Sequence, residues 1–318
     1  MSLSQAGSIR VAKLSLMAAI GVVAIHTNGL RELSPLVKSG EAGIVVIVTQ
    51  VVEWFIGSAL AGAAVPFFFL VSGYFLAQHF GEVGWYREAL RKRLLTLGVP
   101  FICWCGLGWL NNCCLSFCAN VVANRPLTEN MVNIFQAFGF NVFEYPSLRS
   151  LWFLRSLFLF VIGSGLFFPF IKRIGFGCGL VFALCGGVGA KIFLAYRGIN
   201  VEVEESRWFI FAVTFQLRGW TYFLVGALLA IYHINLERKI SLRVKTSLIL
   251  LAMICIALRY ISEHICPIVN YGILYELTNA AVLVALWFMV SSNSLPTVLK
   301  GVSFPIYVTH LLFAEGGG

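Results

Sequence analysis

Apolar residues in this chain neither alternate nor form narrow stripes. They come in blocks long enough to cross a bilayer, which takes about 20 residues. The first block runs through "LMAAIGVVAIHTNGL" (16–30), and others cover 97–118, 148–171, 174–195, 208–232, 246–261 and 269–290. The tract 42–79 is longer, and two spans there would put "YREALRKR" (86–93) outside the cell. That conflicts with the rule that Lys and Arg stay on the cytoplasmic side. An outer amphipathic segment, "IVVIVTQVVEWFIG", followed by one span, "AVPFFFLVSGYFLA", keeps those residues inside. The last run, in "LKGVSFPIYVTHLLF", is only about 14 residues long. At about 1.5 Å each they reach roughly 21 Å, short of a core of about 30 Å. The pattern predicts an all-α polytopic membrane protein, a bundle of nine or ten transmembrane helices. It forms a single domain over 1–314, with "EGGG" at 315–318 reading as a linker.

Composition points the same way. Of 318 residues, 59% are hydrophobic and only 12% charged, too few to cover the surface of a soluble domain. The net charge of +9 falls in basic junctions rather than in a soluble basic domain, which argues against nucleic acid. Arg10 and Lys13 precede the first span and put the N-terminus in the cytoplasm, with nothing before residue 10 resembling a cleavable signal. "LERKISLRVK" forms a second cytoplasmic loop, and "NVEVEES" an outer acidic one. The nine cysteines lack CxxC pairs, and even the "CCLSFC" cluster is irregularly spaced. They read as small buried hydrophobes, with a metal or disulfide at that cluster as the minor alternative, and no metal is expected.

Ionisable residues inside spans are costly and by default mark functional sites. Here they are His26, Arg155, Lys191, Arg218, Arg259 and Glu276. The threading places His26, Arg155, Arg259 and Glu276 in the outer half of the membrane and Arg218 near its middle. A polar pocket open to the outside would account for them. Simpler readings stand beside this one. Arg259 and Lys191 lie near helix ends, where snorkelling to headgroups is the expectation. His26 alone reads equally well as a satisfied core residue, and Glu276 as a structural partner for an arginine. "REALRKR" brings Arg87, Arg91, Lys92 and Arg93 to a cytoplasmic helix mouth. There they could bind the phosphates of an anionic cofactor or simply set topology. "VSGYF" places Ser72, Gly73 and Tyr74 in mid-membrane.

Five stretches occur in an order that resembles the acyltransferase-3 family of membrane acyltransferases. They are "SLMAAIGVVAIHT", "VPFFFLVSGYFL", "REALRKRLLTLGVP", "SLWFLRSLFLF" and "GVSFPIYVTHLL". The likeness covers essentially the whole chain and is similar to the membrane domain of vancomycin-resistance serine racemases. It implies transfer of an acyl group, commonly acetyl, from cytoplasmic acyl-coenzyme A to a hydroxyl of an extracytoplasmic glycan or lipid-linked acceptor. It also implies the bacterial inner membrane as location and is compatible with a homodimer. Carried over residue by residue, the essential first-helix histidine is His26, and the basic pair that handles coenzyme A is Arg91 and Arg93, with Lys92 between. The "LWFL" signature falls on Trp152 to Leu154, and the last motif supplies Ser303, Tyr307 and His310. The family usually carries an arginine eleven residues before the histidine, and here that position is Ser15. Lys13 and Arg10 point away from that face, so neither replaces it.

The mechanism implied pairs a hydroxyl with a thioester. A neutral imidazole, of pKa about 6.5, takes a hydroxyl proton near neutral pH, so His26 is the expected general base. Arg155 or the Tyr74 hydroxyl would stabilise the thioester oxyanion. Arg91, Lys92 and Arg93 would hold the coenzyme A phosphates, and Ser72 and Tyr74 would line its path. Trp152, Arg218, Glu276, Ser303, Tyr307 and His310 are the expected acceptor contacts. Direct transfer and an acyl-histidine intermediate both fit. Two other classes compete: a transporter or flippase, whose buried charges line a path, and a non-catalytic membrane module.

Overall fold

The computed structural model describes residues 4–26, 43–122, 152–189, 208–265 and 271–293, with positions 296, 299, 301–303 and 306. Apart from turns, every element among the described residues is helical. Four stretches are long and apolar enough to cross a membrane: Gln5–Ile25, Val46–Ala77, Phe153–Gly187 and Leu242–His264. Gly219–Ile231 and Ile273–Met289 are shorter apolar helices. Nine or ten spans would draw in part on segments outside the described residues. The chain divides into two compact units, Met1–Tyr74 with Tyr232–Gly318, and Phe75–Ile231.

The first unit holds α1 (Gln5–His26), α2 (Ile44–Glu53), the start of α3 (Ala64–Ala77), α8 (Leu242–His264) and α9 (Tyr271–Met289). The expected division of 42–79 into two separate segments does not appear. A π-helical stretch, Trp54–Leu60, and a 3₁₀ turn, Ala61–Ala63, join α2 to α3 in one helical run. The cause is Pro66. It offers no N–H, and its ring crowds the carbonyl four residues back, so the hydrogen-bond register shifts there while the chain keeps its direction. Small residues let α1 approach this break. A Cβ on Gly21 would lie 3.2 Å from Ala61 Cβ. Behind it, Ala59, Ala63, Ala252, Ile256, Val282 and Ala285 form a buried core. Ser241 caps α8 by accepting from the Val244 N–H.

The second unit holds α4 (Trp85–Arg93), α5 (Val99–Val122), α6 (Trp152–Leu184) and α7 (Trp208–Ile231). A π-helical stretch, Leu94–Gly98, joins α4 to α5 just before Pro100, repeating the pattern seen before Pro66. α6 is two arms meeting at Gly175, whose φ of 85° and ψ of 168° are not helical. The Phe170 and Phe182 rings lie 5.1 Å apart. On a straight helix they would be separated by about 18 Å, so the chain doubles back at Gly175. This reproduces the expected turn after Lys172 and Arg173, and the positive φ explains the glycine. α7 packs along the returning arm, with Thr221 Oγ1 donating to the Ala183 carbonyl at 3.0 Å.

Candidate functional site

His26 is the last residue of α1. Ser15, at the place of the missing arginine, is half-buried on the same helix. The nearby cation does not turn toward it, because Lys13 Nζ donates to the carbonyl and hydroxyl of Ser291, both at 3.2 Å. Ser72 is half-buried on α3, and Tyr74 is buried.

Arg259 departs from expectation. It does not snorkel: only 2% of it is exposed, and its guanidinium is committed inside the first unit. Nε donates to Glu263 Oε1 at 2.6 Å, and Nη1 to the Ser58 carbonyl at 3.1 Å. That carbonyl lies in the π-helical stretch, where altered register makes backbone acceptors accessible. Trp54 Nε1 donates to the other Glu263 oxygen at 2.6 Å. The guanidinium also lies 4.6 Å from the Tyr275 ring centroid and 5.6 Å from that of Trp54. A buried ion pair compensates its own charge when each group is also hydrogen-bonded, so Arg259 stays deep rather than reaching for headgroups. Glu276 is buried on the neighbouring α9. Two residues of this cluster escaped sequence reading. Glu263 follows Arg259 by one helical turn, and that spacing could have flagged it. Asn279 is fully buried, and neither amide atom has a hydrogen-bond partner among the described residues; no charge in the sequence draws attention to it.

In the second unit, Arg155 is half-buried on α6, and Cys105 is buried on α5. Phe153 and Leu154 of the "LWFL" signature are buried, as is Ser156, whose hydroxyl has no hydrogen-bond partner among the described residues. Trp152 opens α6, and Arg218 lies within α7.

The basic cluster closes α4, a helix with no buried residue. Arg91 and Lys92 are exposed, whereas Arg93 is half-buried. Burial draws the Arg93 guanidinium below its ordinary value, since desolvation penalises the charged form. Ser303 is half-buried at the far end of the chain. Tyr307, His310 and Lys191 lie outside the described residues. Among the described residues, no three His, Cys, Asp or Glu side chains gather as metal ligands.

Apolar helices with arginines and glutamates set inside them define a multi-pass membrane protein with polar groups at depth. The family follows from comparison with known proteins. A family model described as an acyltransferase domain, Acyl_transf_3, matches residues 16–316, nearly the whole chain. The chain belongs to the acyltransferase-3 family. No curated protein and no solved structure matches it.

Proposed function

We propose that this protein is an integral membrane O-acyltransferase. It moves an acyl group, with acetyl the first choice, from cytoplasmic acyl-coenzyme A to a hydroxyl on an extracytoplasmic glycan or lipid-linked saccharide. The observation that carries this reading is the family match over 16–316. Two features support it: α1 ends on a histidine, and α4 carries exposed cations suited to a phosphate-bearing donor. His26 takes the acceptor proton as general base. The basic end of α4 receives the donor phosphates, and Arg155 offsets charge growing on the thioester oxygen. Glu276, Arg218, Trp152, Ser303, Tyr307 and His310 are the acceptor-side residues of this proposal. The bacterial inner membrane, with the N-terminus inside, is the location it requires.

Thiol release from acetyl- and succinyl-coenzyme A, measured on purified full-length protein, tests the reading. His26→Ala should lower the rate by roughly 10² to 10⁴, the usual contribution of a general base. Equal rates for both proteins would end the assignment. The base must be unprotonated to act, so activity should fall as pH drops below about 6.5, the ordinary imidazole value. A rate that stays flat down to pH 5 would remove histidine from that role.

A further inference from the structure

The cations of α4 do not share one face. At about 100° per residue, Arg87 and Arg91 stand one turn apart and within about 40° of each other, whereas Arg93 is turned about 200° from Arg91. Arg93 thus falls on the side bearing Trp85 and Tyr86, and that side is packed on α6. Trp85 stacks on Phe168 at 5.7 Å with planes 10° apart. Tyr86 Oη donates to the Ile162 carbonyl at 2.6 Å. The Tyr86 ring is seated over Gly165, where an added Cβ would come within 2.9 Å of it. Exposure agrees with the geometry: Arg87 and Arg91 are exposed, and Arg93 is half-buried.

The Arg87–Arg91 stripe carries no carboxylate. Glu88 falls beside Lys92 on the next stripe, and Glu82 is engaged with His79 at 3.1 Å. A further cation, Lys172, stands near the other, N-terminal end of the helix. Lys172 Nζ lies 5.5 Å from the Phe80 ring centroid, and that ring meets Trp85 edge-on at 5.2 Å. Two guanidiniums one turn apart, on a helix fixed against its neighbour, suit a ligand with adjacent anionic groups. Each planar fork can take two oxygens.

We propose that Arg87 and Arg91, rather than Arg91 with Arg93, hold the diphosphate of the donor nucleotide, and that Arg93 is a positioning residue at the packed face of α4. The nucleotide's identity rests on the acyl-coenzyme A reading above. A phospholipid headgroup offers the same phosphate chemistry, so the test must separate the two.

Coenzyme A binding is measured by calorimetry on full-length protein in phosphatidylcholine nanodiscs, with and without phosphatidylglycerol. Arg87→Gln and Arg91→Gln should each raise the Kd roughly tenfold or more, the range for a charged hydrogen bond lost. The loss should persist with dephospho-coenzyme A, which keeps the diphosphate but lacks the 3′-phosphate. Arg93→Gln should weaken binding less than either and lower the thermal midpoint instead. Wild-type affinity in Arg87→Gln, or a larger loss in Arg93→Gln, overturns the assignment. So does an effect of Arg87→Gln confined to phosphatidylglycerol binding, which would make the ligand a lipid headgroup. Arg87-dependent coenzyme A binding without thiol release would sink acyl transfer and leave this assignment standing.

Discussion

Arg259 and Glu263 form a pair whose halves are unequal to their sum. Removing one partner leaves the other charge buried and uncompensated, at a cost of about 3–5 kcal/mol. Arg259→Met and Glu263→Gln should therefore each unfold the protein at markedly lower temperature, and the double variant should recover part of that loss. Additive losses in thermal unfolding would show that the pair does not act as a unit. Asn279 offers the opposite case, since its amide is buried without a hydrogen-bond partner among the described residues. Asn279→Leu removes that penalty, about 1–3 kcal/mol for an unsatisfied buried group, and should raise the melting temperature. A lower one would show that the amide is satisfied by something the protein retains. Sequence reading found Arg259 and Glu276 because charge inside an apolar run is conspicuous. It misjudged Arg259, because depth within a helix does not reveal a carboxylate one turn further on. Asn279 was passed over because an uncharged amide barely alters hydropathy.

At the scale of elements, the two prolines that follow helix breaks explain where the hydrogen-bond register shifts. Composition divides 42–79 into two separate segments, whereas the structure keeps α2 and α3 in one run, which composition alone does not reveal. That depends on whether a π-helical turn absorbs Pro66. The hairpin in α6 was legible, since Lys172 and Arg173 mark the junction and Gly175 supplies the positive φ. Gly165 gives a sharper test of packing. Gly165→Ala places a methyl against the Tyr86 ring, and overpacking of this kind costs about 1–3 kcal/mol. The variant should lose thermal stability, and Tyr86→Ala in the same background should restore part of it. If Gly165→Ala melts like wild type, α4 is not seated on α6 through this contact.

For the whole molecule, class and family were readable because membrane composition is global and the five ordered stretches span the chain. Positions of individual site residues were less so. A helical register is set by packing partners, and single-sequence patterns do not name them. Orientation remains a proposal with a direct check. A reporter that fluoresces only in the cytoplasm should be active when fused after Lys239 and silent when fused after Glu204. The reverse result would invert the threading and separate His26 from the outer side.

The Arg259–Glu263 contact has a consequence for biogenesis. Both residues belong to α8, so the helix can neutralise its own deepest charge as soon as it coils, before any neighbour arrives. Translocation machinery would then receive a segment whose inner arginine is already paired. The Ser58 carbonyl and the two aromatic rings would be met later, during assembly, without an isolated cation ever waiting in the lipid.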